Sequence, residues 1–383
     1  MPLCDLRHQA AVRTGEDLVR HLDSFSLDLK FSAGVWFFRP GGGRFHDRYV
    51  EPVAIEQILE EAAALKQYGL VALEAHYPNE INEDNLSTFR QFQIDTGIRV
   101  VTVVPNLFFD AQWEWGSLSN PDEADRRAAI ERLVTTLEIN ETMGTDFCVV
   151  WPGGDGYENT FAHNHAAARA RFADALAEAM DTVEGVRIAM ETKPYEPRGN
   201  ILFPRTADGI NLGHRVEKAL KYGVNKSYLN DGHALFTLNP EVGHVLMGYE
   251  DLAYAFSLAC EEGRLAHTHW NSQPAGNYDQ DLNVGVLGIE QAEAALYALK
   301  THGYGGYFGI DINPERMPVK QALVNCMDAL RGMNAFVDAL DHAALMECAE
   351  NPSANRGRLE SVLIQARYGS RQVGELLMGP SPD

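Results

Sequence analysis

Strand-length apolar runs recur along the whole chain, at 33–37, 70–75, 99–104, 147–151, 187–191, 235–238, 265–270 and 307–312, each bounded by Gly, Pro, Asn or Asp. Runs of this length, rich in branched side chains, read as buried strands. Between them lie stretches with apolar residues at three- and four-residue steps, at 53–68, 121–143, 165–183, 249–262 and 287–302. That spacing puts one apolar stripe on each helix, and Gly69 and Gly303 stand where the first and last of these would stop. Such a repeated strand–helix alternation predicts an α/β fold, a closed parallel (β/α)8 TIM barrel rather than an open sheet. Barrels of this kind carry their chemistry at the C-terminal ends of the strands. There the runs end in His76, Trp151, Glu191 with Lys193, His269 and Asp311.

At 383 residues the chain has room for one large barrel and an appendage. The rhythm stops near residue 330, so the expected division is a catalytic barrel over 1–330 and a C-terminal helical arm over 331–383. Asn351-Pro352-Ser353 and Gly369 punctuate the arm, and the tail at 379–382 reads as frayed. An arm of this kind either clasps a second copy, making a homo-oligomer (dimer or tetramer), or caps its own barrel. The formal charge is −22, which repels phosphate backbones and excludes nucleic acid as a natural partner. A cation or a neutral polyol suits it better. No window approaches the ~18 apolar residues of a membrane span, and Met1–Arg7 lacks the apolar core of a signal peptide. Cys4, Cys148, Cys260, Cys326 and Cys348 are odd in number and widely spaced. That pattern argues against a disulfide framework or a zinc ribbon and for a reducing, cytoplasmic setting, with Cys148 and Cys260 as small buried hydrophobes.

Several short patterns carry metal-ligand chemistry, and none decides alone. Asp279 and Asp281 lie two residues apart and can reach one cation from a loop, or can simply be solvated. Glu241 and His244 stand at i, i+3, which places carboxylate and imidazole on one side of a helical turn. Strand alternation points Glu191 and Lys193 the same way, as a site pair or as an ordinary ion pair. His267 and His269 share a strand face, and only one need be a ligand. Asp311 is a lone acid in the apolar run Ile310-Asp311-Ile312. Burying it unpaired costs several kcal/mol, on the order of ~2–7 for a polar group and more for a charge. Taken together, carboxylates and imidazoles without a thiolate suit two divalent cations, Mg2+, Mn2+ or Co2+, rather than structural zinc.

In this order the motifs resemble the xylose isomerase family. The stretches that carry the likeness are Trp151-Pro-Gly-Gly-Asp-Gly-Tyr-Glu158, Glu191-Thr-Lys-Pro-Tyr-Glu-Pro-Arg198, Leu238-Asn-Pro-Glu-Val-Gly-His244, Tyr278-Asp-Gln-Asp-Leu282 and Asp311, within a likeness running from about Phe31 to residue 330. The resemblance implies that Glu191, Glu241, His269 and Asp311 hold one metal, and that Glu241, His244, Asp279 and Asp281 hold a second. It implies catalytic roles for Lys193 at the sugar carbonyl, for His76 in ring opening and for Asp281 beside the second metal. Trp36, Phe108 and Trp151 would form an apolar wall for the open-chain sugar, with Asn79 near His76.

The departures from the family pattern bear on the substrate. His269 stands where the family has a carboxylate, and resembles the rhamnose isomerase and tagatose epimerase branches of the superfamily. Asn79 replaces the acid that would follow the ring-opening histidine, with Glu80 beside it. Asp155 stands where an arginine is usual. Residues 200–235 form a longer connection whose Asn230-Asp231-Gly232-His233 reads as a loop or as a rival metal motif. The expected activity is that of an aldose–ketose isomerase, an intramolecular oxidoreductase working by metal-assisted 1,2-hydride shift on a small-molecule sugar. The alternatives are a metal-dependent ketose epimerase and a barrel that binds sugar or metal without turnover.

Overall fold

The computed structural model describes residues 12–38, 53–183, 185, 187–314, 317–369 and 373. The expectations for Met1–Arg7, Cys4 and the tail at 379–382 fall outside them. The strands are β1 (Lys30–Gly34), β2 (Leu70–Tyr77), β3 (Arg99–Pro105), β4 (Cys148–Val150), β5 (Gly156–Tyr157), β6 (Ile188–Met190), β7 (Asn200–Ile201), β8 (Phe236–Leu238), β9 (Thr268–Trp270) and β10 (Tyr307–Ile310).

Two parallel arcs, β3-β2-β1-β10-β9 and β4-β6-β8, make the barrel wall. Isolated parallel bridges at Leu238–Leu265 and Glu241–His269 join β8 to β9. On the other side the Asp146 amide donates to the Val101 carbonyl at 3.1 Å, and the Val149 amide to the Thr102 hydroxyl at 2.9 Å, joining β4 to β3. The wall therefore closes, as the alternation predicts. Ala72, Val101, Val104, Phe147, Val149, Ala189 and Ala266 plug the lumen. A larger apolar layer packs the outside of the wall against the helices.

Local signals explain where the elements stop and start. Gly69 ends the first barrel helix and its 3-10 extension with φ +105°, which a side chain would resist. Asp122 caps the helix Glu123–Met143 by accepting from the amides of Ala124 and Asp125. Glu217, on the helix Thr206–Ala219, accepts the amides of Leu235 and Phe236 and pairs with the fully buried Arg264 at 2.8 Å, pinning the start of β8.

The structure corrects the first strand. The run at 33–37 is not itself a strand: β1 ends at Gly34 and Trp36 sits on a 3-10 turn, Val35–Phe38. Val35, Phe37 and Phe38 are buried in that turn, so the apolar run outlasts the strand. The ribbon formed by β5 and β7, antiparallel, lies outside the predicted strands.

Beyond the last strand, the helix Val319–Asp338 runs through the expected boundary at 330. His342–Glu350 and Arg358–Tyr368 follow, and Leu340, Ala344, Leu345 and Val362 form a small core against Tyr297 and Phe336. Arg367 pairs with Glu293 of the preceding barrel helix. Among the described residues no helix is long and apolar enough to cross a membrane. Cys148, Cys260, Cys326 and Cys348 are all free thiols; Cys260 and Cys326 are pushed up to about 12 by burial.

Candidate active site

The C-terminal ends of the strands converge on a cavity of about 280 Å³. Every residue to which the family resemblance assigns a metal, catalytic or wall role lines it, and Asn79 does not. His76 ends β2, Trp151 follows β4, and Glu191 and Lys193 follow β6. Glu241 caps the short helix Val242–Met247 after β8, and His244 sits on its first turn. His269 lies in β9, and Asp311 is one residue past β10. Asp279 and Asp281 sit on the loop after β9.

That loop is built rather than solvated. The Asp279 amide donates to Glu196 at 2.8 Å, the Gln280 amide to Gln273 at 3.0 Å, and Asn313 to the Asp281 carbonyl at 2.8 Å. Asp281 itself takes φ +45°, uncommon for a side-chain-bearing residue; strained backbone of this kind persists only where the surroundings hold it.

Two donor groups overlap at Glu241. The donor atoms of Glu191, Glu241, His269 and Asp311 lie within 4.8 Å of one another, and so do those of Glu241, His244 and Asp279. Asp281 joins them through Asn271, whose amide donates to Glu241 at 2.8 Å and to Asp281 at 3.1 Å. Asn239 donates to Glu191 at 2.8 Å. Lys193 reaches Asp279 at 2.6 Å and lies 5.1 Å over the Trp151 ring.

The electrostatics are those of a cation cage. Burial, reinforced by Asp279, Asp281, Glu191 and Asp311, pushes the Glu241 carboxyl well above its ordinary range. Burial, with Asp279 and Asp311, does the same to Asp281. Burial disfavours the imidazolium of His269, but Glu74 and Glu191 outweigh it and raise its pKa well above the usual value. Burial also opposes the charges of Asp279 and Lys193, yet His244 and Lys193 hold Asp279 low and Asp279 holds Lys193 high. Glu191 is lowered in the same way, with His269 and His244 winning over burial. Three of these groups, Glu241, Asp281 and His269, thus favour the protonated form, supplying the positive charge a metal would bring.

Several polar atoms around the cage have no hydrogen-bond partner: Nδ1 of His269 and His244, Oδ1 of Asp279, and Oδ1 of Asn271 and Asn239. The Nδ1 of His269 is nonetheless 3.0 Å from Glu191 and 3.2 Å from Asp311. Such a carboxylate–imidazole lining, with buried donors aimed inward, fits divalent cations bound by oxygen and nitrogen.

One wall is aromatic. The Trp36 ring packs 4.4 Å from His76, which lies 5.7 Å from Phe108, and Phe108 lies 4.5 Å from Trp151. Trp36 also donates to Asp311 at 3.3 Å.

The sequence expectation at Asn79 is revised by this geometry. The partner of His76 is Glu80, not Asn79: Glu80 lies 3.0 Å from Nδ1 of His76 and also accepts its amide. Asn79 is exposed, stands away from the cavity lining, and accepts from Asn106. The backbone turns between His76 and Glu80, donating from the Glu80 amide to the His76 carbonyl, so the acid four residues on faces the ring. Asp155 is structural. It is buried and accepts the amides and hydroxyls of Ser117 and Ser119, tying down the loop that follows β3. The connection at 200–235 is largely helical, Thr206–Ala219 and Gly223–Asn230, rather than a loop; it contributes no residue to the cavity lining, and Asp231 and His233 belong to neither donor group.

Glu74, Glu80, Asn239 and Asn271 went unremarked or undervalued in the sequence. Alternation from His76 puts Glu74 on the lumen side of β2, and this was the one available signal.

The fold is a closed eight-stranded parallel barrel whose acid- and imidazole-lined mouth lies at the C-terminal ends of the strands, where barrels of this kind carry their chemistry. Residues 62–331 match the model of the xylose isomerase-like TIM barrel family, and the chain belongs to that family. It is 27% identical over 294 residues to a xylose isomerase of Thermus thermophilus, an alignment covering 72% of this chain and 70% of that protein. A xylose isomerase of Thermus caldophilus is 30% identical over 229 residues, covering 57% of this chain and 54% of that protein. The fold is shared with the 3-keto-D-glucoside 4-epimerase YcjR of E. coli at TM-score 0.56 and 16% identity, over 80% of this chain and all of that one. It is also shared with an L-ribulose 3-epimerase at TM-score 0.56 and 15% identity, over 86% and 99% of the two chains.

Proposed function

We propose that the protein is a metal-dependent aldose–ketose isomerase that moves hydride between adjacent carbons of an open-chain sugar. The observation that carries this reading is Glu241, shared by two donor groups, with the Lys193 ammonium in the same cavity. Glu191, Glu241, His269 and Asp311 would hold one Mg2+, Mn2+ or Co2+, and Glu241, His244, Asp279 and Asp281 a second. When bound, such ions polarise the sugar's oxygens and favour loss of a hydroxyl proton.

The chain's own residues do the rest. Lys193, held charged against Asp279, donates a hydrogen bond to the carbonyl oxygen and steadies the charge that gathers there. Trp36, Phe108 and Trp151 shield the reacting carbons from water, which suits a direct hydride shift over proton exchange with solvent. His76 faces the cavity with Glu80 behind it, so the pair can shuttle the proton needed to open a cyclic sugar. Asp281, tied to Glu241 through Asn271, would be a further carboxylate ligand of the second ion. Residues 331–383 are read as an arm appended to the barrel and as the contact of a homo-oligomer, in the cytoplasm.

The test is turnover by the Mg2+-, Mn2+- or Co2+-loaded protein across pentoses, hexoses and deoxyhexoses, run in deuterated water. Isomerisation with little deuterium at carbon is the expected result. Extensive labelling, with inversion at one carbon, would replace this reading with a ketose epimerase. Sugar binding without turnover under every metal would leave a binding barrel.

A further inference from the structure

Beneath the cavity, a carboxylate crosses the barrel lumen behind His269, where Glu74, His267 and His269 bring a third set of donor atoms within 4.8 Å of one another. Glu74 projects from β2 and is 1% exposed. Its Oε1 accepts from the Ser32 hydroxyl of β1 at 2.7 Å and lies 2.9 Å from Nε2 of His267, which precedes β9. Its Oε2 lies 2.9 Å from Nε2 of His269 in β9. A single side chain thus ties three strands together and touches one candidate ligand on the side away from the cavity. The strand between β1 and β9 in the wall, β10, leaves space for this assembly. A Cβ on Gly309 of β10 would come within 2.7 Å of His267, 2.7 Å of His269 and 2.8 Å of Glu74. Both imidazoles and the carboxylate meet over a residue with no side chain.

We infer that Glu74 is a positioning residue that fixes which nitrogen of His269 faces the metal. The inference rests on the metal reading above. A carboxylate accepts and does not donate, so the Nε2 facing it must carry the hydrogen. In the neutral imidazole that would bind a metal, the Nδ1 lone pair is then left towards the cavity, 3.0 Å from Glu191 and 3.2 Å from Asp311, the carboxylates of its own donor group. His269 supplies a neutral ligand where a carboxylate would supply a charged one. Glu74 restores that charge one layer deeper, through the ring. Ser32 and His267 hold Glu74 against rotation, so its second oxygen stays aimed at His269. Groups that orient a ligating histidine in this way commonly carry about 10–100-fold of metal affinity.

The test is a double-variant cycle read by calorimetric Mn2+ titration of the full-length protein. Glu74→Gln keeps the shape but offers an amide, which cannot accept from Ser32, His267 and His269 together. It is expected to weaken one of two bound ions by about 10–100-fold and to leave the other within about threefold. In a His269→Asp background the ligand has no tautomer to set, and Glu74→Gln is expected to cost no affinity. A loss of equal size in both backgrounds marks a general structural role and overturns the inference, as does no loss with His269 present. Should Glu74→Gln not fold, the wild-type protein decides. In the Mg2+-loaded, 15N-histidine-labelled enzyme, nitrogen–proton correlation should show His269 protonated on Nε2 and not on Nδ1, and the reverse pattern overturns it. Wild type that binds no divalent ion overturns the metal reading and this inference with it. Wild type that binds two ions beside an unaffected Glu74→Gln overturns this inference alone.

Discussion

Glu241→Gln should reverse sign between metal-free and metal-loaded protein. Glu241 sits within 4.8 Å of Glu191 and Asp311 in one donor group and of Asp279 in the other. At that separation two like charges repel by about 3.5 kcal/mol at an effective dielectric near 20. Protons on the cluster, together with His244, His269 and Lys193, absorb a little under half of this. The net gain from removing the charge is then about 2 kcal/mol. Glutamine retains the carbonyl that accepts from Asn271. Unfolding entropy of about 2.1 cal/mol/K per residue, over 383 residues, converts 2 kcal/mol into a rise of about 2–3 °C in Tm with chelator present.

Saturation inverts the order. Each ion at about 100 times its Kd adds about 2.7 kcal/mol, so two ions raise wild type by about 6–7 °C, and the variant lacks the ligand both ions share. Scanning calorimetry with EDTA and with Mn2+ reads both arms. A variant less stable than wild type in EDTA, or one shifted equally by Mn2+, refutes the reasoning. The pH dependence has a definite sign. The folded-state pKa of Glu241 is raised, by burial first and then by its acidic neighbours. Its contribution is therefore fully present below the unfolded carboxylate pKa and is lost as pH rises through the folded value. Metal-free wild type should lose stability over that window, and Glu241→Gln should lose less.

Three further outcomes follow from the same geometry. Mn2+ affinity should fall as pH drops from neutrality, because Glu241 and Asp281 must both give up protons held by burial and by mutual repulsion; a pH-independent Kd in calorimetry contradicts this. Lys193→Met should cut kcat by about 100–1000-fold while Mn2+ binds at least as well, since Asp279 loses its competing ammonium; full activity in a steady-state sugar assay removes Lys193 from the chemistry. Glu217→Ala should cost about 3–5 kcal/mol in denaturant unfolding, because Arg264 would be left buried without its counter-charge; a cost under about 1 kcal/mol shows that solvent reaches Arg264 after all.

The fold was legible because its signal is repetitive. Apolar runs separated by amphipathic stretches leave few closed topologies, and the site residues declared themselves by ending those runs. What failed was local. The run containing Trp36 outlasts β1 because a 3-10 turn buries Val35, Phe37 and Phe38 as a strand would, and apolar content alone does not separate the two. Asn79 drew attention by its spacing from His76, but spacing does not reveal the turn that instead brings Glu80 to the ring. Asp279 and Asp281 look solvated on their own, and what organises their loop comes from Glu196 and Gln273, one of them from the segment after β6.

Glu74 marks the deeper limit of reading a chain by local pattern. It sits between Leu73 and Ala75 with no nearby basic residue, and nothing in Leu-Glu-Ala-His explains an acid in a strand buried on both faces. Its partners lie 193 and 195 residues away, on β9 and just before it. The space for all three comes from Gly309 on a third strand. Neither the buried acid, nor the paired histidines, nor the bare glycine has a reason alone, and each has one once the barrel closes. His269 therefore cannot be judged by exchange at its own position. A carboxylate placed there would meet Glu74 across the lumen, two negative groups without the imidazole between them. Reverting this site towards an all-carboxylate cage should accordingly need a second change at Glu74, and a His269→Asp protein should bind its first ion more tightly with Gln at position 74 than with Glu.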